Sequence, residues 1–541
     1  LGSVFAEERG AVAGGDGDGE GLALVLLSSS QLRRYRRISG IALRGSNLLN
    51  ATMKTLSQLV ALACAAVTAL SAHAQEKPNI LFIIADDQCF RTVEALGMEN
   101  IETPNLNRLV ENGTTFTHAY NMGSWSGAVC TASRHMLNTG AYLWHAEAIS
   151  NSLRENPKPS KTAAPGDWPN FQKQGLMWSQ LLSKAGYDTY FTGKWHVNAS
   201  PPAIFNTTDH IRGGMPKQTE TGYNRPIYGQ PDPWDPTDPK FGGFWEGGKH
   251  WSEVVADDAE AFLNTAAQDD DPFFMYLAFN APHDPRQAPQ EFVDKYPVDS
   301  ISLPPNFLPM YPWKDQIDNP ASLRDEKLAP FPRTPATVKV HRQEYYAMIT
   351  HMDREIGRIL DKLDETGKAD NTWIFFTADH GLAVGEHGLM GKQNMFDHSV
   401  RVPFMVVAPG VEAGATIDAP IYLQDVMPTS LELAGAEKPS HVQFQSLLPI
   451  LAGEANGYDA IYGAYLQSQR SVVKDGYKLI LYPKVPKYLV YHTADDPSEL
   501  NDLAGTPEGD AKAKELFPIF QALQKENGDQ IDLSETFADL L

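Results

Sequence analysis

Asn79-Ile80-Leu81-Phe82-Ile83-Ile84-Ala85-Asp86-Asp87 is the stretch on which the architecture of this chain turns. The apolar run does not alternate with polar residues, so both faces of the strand it predicts are expected to be buried. That is the pattern of a parallel sheet covered by helices. It stops in two adjacent carboxylates, at the strand end where such sheets hold ligands. Working outward, the same plan recurs. Pro272–Asn280 (PFFMYLAFN) is a second buried strand and runs into Ala281-Pro282-His283-Asp284-Pro285. Trp373–Ala378 (WIFFTA) is a third, ending in Asp379-His380-Gly381. A shorter strand, Asp188–Thr192, leads to Gly193-Lys194-Trp195-His196, and Phe404–Ala408 adds another. Helical patterns lie between them: the segment opened by Thr103-Pro104 and closed by Gly113, then Met177–Ala185, Asp257–Ala267, Val338–Thr366 and Ile421–Ala434. In the longest, Tyr345, Met348, Met352, Ile356, Ile359 and Leu363 keep a three-to-four spacing, and His351 and Asp353 read as scaffold. Strands alternating with helices make this an α/β protein.

The residues after those strands are chemically selective. Asp86, Asp87 and Asp379 form a candidate site for a hard cation such as Ca²⁺ or Mg²⁺, which prefer carboxylate oxygens. Taken alone, each reads equally well as a solvated strand end or a helix cap. His283 is held between prolines, and histidine is the side chain most suited to moving a proton when so positioned. Lys194 and His196 alternate off a strand end and are expected on one side. Elsewhere, Ala128–Gly140 (AVCTASRHMLNTG) predicts a short helix from Thr131 to Asn138, with Cys130 at its start and Arg134 one turn on. Unpaired N–H groups at such a junction favour a thiolate or an anion. The bland reading is a buried cysteine beside a surface arginine.

Cys130-Thr131-Ala132-Ser133-Arg134, followed by Thr139-Gly140, resembles the signature of the formylglycine-dependent (type I) sulfatases, with Ala132 where proline is commoner. The resemblance runs over about 78–505 and returns in family order. It includes Thr103–Leu109 (TPNLNRL, with Asn107 in an aspartate position), Gly193–His196, the His283 segment, Asp379-His380-Gly381, Gly385–Gly388 and Gly391-Lys392. It implies an alkaline-phosphatase-like α/β sandwich: a large mixed, mostly parallel sheet flanked by helices, plus a smaller C-terminal α+β subdomain with an antiparallel sheet. It implies that Cys130 is oxidised to formylglycine by a formylglycine-generating maturation enzyme. One calcium ion would be held by Asp86, Asp87, Asp379, His380 and residue 130, while Arg134, Lys194, His196, His283, Asp379 and Lys392 serve catalysis. The expected activity is hydrolysis of a sulfuric ester. Two rivals stand beside it: a formylglycine phosphodiester or phosphonate monoester hydrolase, and a non-catalytic sulfated-glycan-binding protein with Cys130 still a thiol.

The 541 residues carry a formal charge of −22 and 42% hydrophobic residues. So acidic a chain is a poor partner for nucleic acid, and any anionic substrate must find a local positive pocket. Three cysteines make no disulfide scaffold, and a Cys89–Cys130 bridge would consume the reactive residue. Residues 1–52 read as upstream sequence outside the fold. Residues 53–74 read as a secretion signal, with the apolar run Leu56–Leu70 and Ala72-His73-Ala74 before Gln75. That run is too short for a membrane span, so an exported protein, periplasmic or secreted, is expected. The catalytic domain is expected over 75–439 and the subdomain over 440–541. The Gly- and Pro-rich stretch 201–251, with Tyr223, Tyr228, Trp234, Phe241, Phe244, Trp245 and Trp251, is expected to be an irregular insertion. Its aromatic rings either pack the loop or stack on sugar, which together with export points to a sulfated algal polysaccharide or its oligosaccharides.

Overall fold

The structure, a computed structural model, describes residues 77–541 except 159 and 217–219. The 1–52 and 53–74 segments therefore lie outside the described residues. Asn79–Ala85 is a strand, buried at every position. It sits in the middle of an eight-stranded sheet, between Phe273–Ala278 and Thr372–Ala378 and parallel to both. Asp188–Lys194 and then Thr207–Arg212 continue the parallel run on one side. On the other side Phe404–Val407 runs antiparallel, followed by Thr114–Phe116 and Ala415–Ile417. One face carries a ring cluster in which Phe82 meets Trp178 at 5.1 Å and Tyr276 at 4.9 Å, both edge-on. Edge-to-face packing of this kind adds to what burial alone contributes.

Helices cover the sheet as the spacing predicts. Trp251–Ala266 packs on the 188–194 and 273–278 strands, and the 31-residue helix Pro335–Glu365 packs on it in turn. That long helix starts at a cap, Thr334 accepting from the Thr337 N–H. It also caps a neighbour. Thr103 offers no side-chain cap to the helix Pro104–Asn112; Asp353 instead accepts from the N–H groups of Asn105 and Leu106. Asp353 is scaffold, as read.

A second sheet of five strands forms from Ile461–Tyr465, Gln469–Lys474, Tyr477–Tyr482 and Lys487–His492, an antiparallel meander. Its fifth member is Gly123–Ser124, parallel to Ile461–Tyr465, so the residues just before Cys130 are held by the C-terminal part. Helix Pro507–Glu526 packs against this sheet.

Two expectations need correction. The stretch 201–251 is not wholly irregular: Thr207–Arg212 is the edge strand of the large sheet, and Trp245–Glu246 pairs with Lys249–His250. TTDHIR lacks an apolar period because most of its side chains face solvent at an edge. Ile421–Ala434 is not one helix. Ile421–Tyr422 pairs with Ala119–Tyr120, and the helix is Val426–Leu433. Within the insertion Trp234 and Phe244 are buried and Trp234 stacks on Phe241, whereas Tyr228 is exposed. Among the described residues no helix is long and apolar enough to cross a membrane.

Candidate active site

Strand register brings the carboxylates together. Ala85 lies opposite Ala378, so Asp86 and Asp379 leave the sheet side by side, the Asp379 N–H donating to the Ala85 carbonyl. Asp87 then adopts a left-handed backbone (φ 73°), a conformation aspartate tolerates better than most residues. Its carbonyl accepts from the Tyr345 hydroxyl at 2.6 Å, and its N–H donates to Asp379 Oδ1 at 3.2 Å. Lys194 is the last residue of its strand, after a register shift at Gly193.

The helix Val129–Thr139 delivers Cys130 to this edge from its first turn. The sulfur lies 3.4 Å from Lys194 Nζ, 3.4 Å from Lys392 Nζ and 3.3 Å from His380 Nε2. Lys194 bonds Asp86, and Lys392 bonds both oxygens of Asp87 at 2.8 and 2.7 Å. Arg134 donates from Nε to Asp379 at 3.0 Å and from Nη1 to the Lys194 carbonyl at 2.8 Å. The predicted surface alternative for this arginine is therefore excluded, since Arg134 is wholly buried. Cys89 and Cys130 are both free.

His283 Nδ1 donates to the Asp284 carbonyl at 2.6 Å, which leaves Nε2 3.8 Å from Asp87. His196, also left-handed (φ 57°), is half-buried, and Gly214 of the insertion lies over its ring. All ten residues singled out in the sequence thus gather at one sheet edge.

Charge in this cleft is tightly balanced. Burial of the Cys130 thiol opposes ionisation, yet Lys194, Lys392 and His380 outweigh it and hold its pKa well below the ordinary thiol value. Burial, then Asp379 and Cys130, push Asp86 well above the usual carboxylate range. For Asp379, burial is overcome by His380, Arg134 and Lys194, which hold it at about 2. For His380, burial is overcome by Asp379 and Asp87, and its pKa rises.

One ligand atom each from Asp86, Asp87, Cys130, Asp379 and His380 lies within 4.8 Å of all the others. Asp86 Oδ1 has no hydrogen-bond partner despite full burial. Three buried carboxylates with an orphaned oxygen suit a divalent cation, and the donor set fits one.

Several residues escaped the sequence reading. Arg324 pairs with Asp325, approaches Asp284 at 3.6 Å and His283 Nε2 at 3.4 Å, and leaves Nη1 without a hydrogen-bond partner among the described residues. Its side chain is 32% exposed, which sets it at the mouth of the cleft beside His283. Gln393 bonds Asp325 at 2.5 Å, and Tyr345 props the Asp87 backbone. Arg324 lies in an aperiodic, proline-rich run that carries no local signal. Tyr345 was read as core, and core it is, with a hydroxyl doing more.

Residues 78–436 match the family model described as Sulfatase, and 385–526 match that of the N-sulphoglucosamine sulphohydrolase C-terminal region. The chain belongs to the sulfatase family and is a sulfuric ester hydrolase, on the alkaline-phosphatase-like fold. It is similar to an ulvan-active sulfatase of Formosa agariphila, 26% identical over 84% of this chain and 82% of that protein. A structure solved in complex with its substrate D-glucosamine-2-N,6-O-disulfate is 25% identical with a TM-score of 0.63, covering 83% of this chain and 98% of that one. A phosphonate monoester hydrolase from Silicibacter pomeroyi shares the fold, with a TM-score of 0.65 at 21% identity over 84% and 96% of the two chains.

Proposed function

We propose that this enzyme removes sulfate from a sulfated carbohydrate, an algal polysaccharide or its oligosaccharides, with residue 130 converted to formylglycine and one calcium ion in the carboxylate cluster. The observation that carries this is a buried residue 130 ringed by Lys194, Lys392 and His380 and backed by three carboxylates. A sulfate ester is an anion attacked at sulfur, so catalysis needs neutralised charge, an aligned nucleophile and an acid for the leaving alcohol. Calcium, held by Asp86, Asp87 and Asp379 with His380 beside it, would neutralise charge and polarise oxygen. Formylglycine, when hydrated, supplies two geminal hydroxyls where the thiol now stands.

The side chains do the rest. Asp379, kept ionised by its cationic neighbours, takes the proton of the attacking hydroxyl. Lys194 and Lys392, each 3.4 Å from the sulfur position, hold the negative oxygens of the sulfate. His283, whose Nε2 faces the cleft, protonates the departing alcohol, assisted by Lys392. His196 removes the proton of the second hydroxyl as sulfate leaves, and Arg134 locks Asp379 and the Lys194 backbone in place. The relatives support the carbohydrate reading, since one is named for ulvan and one was solved with a disulfated glucosamine. The signal-like segment 53–74 supports export, to the periplasm or outside the cell.

The test is mass spectrometry of the tryptic peptide Leu109–Arg134 from protein made with a formylglycine-generating system, followed by rates on 4-nitrophenyl sulfate and a 4-nitrophenyl phosphonate. An aldehyde at residue 130 and a preference for sulfate are expected. An intact thiol, in a host that matures a control sulfatase, would sink the mechanism. A preference for the phosphonate would make this a phosphonate hydrolase instead.

A further inference from the structure

Beside the catalytic helix lies a second cavity, of about 560 Å³, that the mechanism does not use. Trp125 and Thr131 line it, together with Arg154, Lys158 and Lys161. In a chain of charge −22, these three exposed cations make no ion pair among the described residues. Glu147, the acidic group lining the cavity, already accepts from the hydroxyls of Ser160 and Thr162 at 2.6 and 2.8 Å. Among the described residues it makes no ion pair with Arg154, Lys158 or Lys161. The indole of Trp125 is only partly buried and packs edge-on against His135, ring centres 5.8 Å apart.

The cavity and the cleft are built on a shared chain segment. Thr131 directly follows Cys130. His135 donates from Nδ1 to the Thr131 carbonyl at 2.7 Å, and its Nε2 accepts from the N–H of Asn198, two residues past His196. An aromatic ring and unpaired cations lining one cavity are what a sugar ring bearing sulfate requires: ring against ring, charge against charge. The volume suits one ring with its substituents.

We propose that this cavity is a subsite for a neighbouring sulfated sugar, so that the enzyme grips an extended sulfated chain on both sides of residue 130. For the class of ligand, this rests on the carbohydrate reading above. Arg154, Lys158 and Lys161 take the sulfate oxygens, and Trp125 carries the ring.

Binding is measured on the full chain carrying Cys130→Ser, which needs neither aldehyde nor turnover, with dextran sulfate, neutral dextran and inorganic polyphosphate as probes. The triple variant Arg154→Ala/Lys158→Ala/Lys161→Ala should weaken dextran sulfate binding about tenfold, in a salt-dependent way. Lys484→Ala/Lys512→Ala/Lys525→Ala, away from the cavity, should change it less than twofold. Trp125→Ala should weaken dextran sulfate and spare polyphosphate. Equal losses in the two triple variants would mean diffuse attraction and overturn the subsite. If Trp125→Ala weakens both polyanions alike, the cavity is a general anion site and the sugar assignment fails. A chain that binds as expected but never matures would instead count against the proposed activity alone.

Discussion

Asp86 is the group in the cleft least suited to its surroundings. It is fully buried, one oxygen accepts no hydrogen bond and has only Arg134 at 3.6 Å, and its carboxyl resists ionisation even though Lys194 is bonded to it. A bound divalent cation removes all three difficulties at once, because it supplies charge where burial and neighbouring carboxylates forbid another anion. Calcium added to chelator-treated protein should therefore raise the melting temperature. At a hundredfold excess over Kd the gain is about 2.7 kcal/mol. Asp86→Asn should lose most of that gain, since an amide brings one neutral oxygen. Calorimetry with and without calcium checks this, and an undiminished shift in the variant would place the ion elsewhere.

At the scale of elements, the strand Asp188–Lys194 has to break register to aim its last side chain into the cleft. It does so at Gly193, where φ is +92° and an added Cβ would lie 1.9 Å from the Ala278 carbonyl oxygen. No side chain fits there, since the neighbouring backbone cannot yield without opening the ladder between the two strands. Gly193→Ala should cost about 3 kcal/mol or more and reduce turnover further than instability explains, because Lys194 moves with the strand. Urea unfolding and rates at a permissive temperature test this; a soluble variant with wild-type rates would show that the strand can relax.

At the scale of the whole molecule, Asp425 ties its own turn to the segments at Gln445 and Tyr458, beside the rings of Tyr142, Tyr422, Phe444 and Tyr458. Its carboxyl accepts from the Tyr422 N–H at 2.9 Å, the Gln445 N–H at 3.0 Å and the Tyr458 hydroxyl at 2.8 Å. Burial nevertheless raises its pKa from 3.8 to about 7. The folded protein thus keeps a proton that the unfolded chain has already lost. Stability from this group is complete below about pH 4 and declines as pH rises to 7, by at most on the order of 4 kcal/mol. Other carboxylates titrate in the same range, so the readout is a difference. The change in unfolding free energy between pH 5 and 7.5 should be more favourable to the high-pH form in Asp425→Asn than in wild type. The same slope in both proteins would mean that Asp425 ionises normally.

Much of the site could be read in one dimension because the buried strands announce themselves by composition and end in their reactive residues. Asp86, Asp87, Asp379, Lys194 and His283 follow such runs, and a parallel sheet lines up its strand ends. The chemistry of Cys130 and Arg134 is likewise carried by local spacing on one helical turn. Arg324 left no local trace, because its role depends on meeting Asp325, Asp284 and His283 at the cleft mouth. The polar edge strand Thr207–Arg212 left none either, since half of its partners are solvent.

What the amino-acid sequence by itself determined was the set of buried strands, the helices between them and the reactive groups at their ends, all consequences of burial and covalent order. What only the tertiary structure decided was which groups share a charge. Lys392 reaches the sulfur of Cys130 across 262 residues of chain. Asp353 caps a helix 248 residues away, and one cavity brings Trp125 together with Arg154, Lys158 and Lys161. Electrostatics and packing act through space over a few ångströms, and sheet register, which no local window of sequence contains, sets those distances.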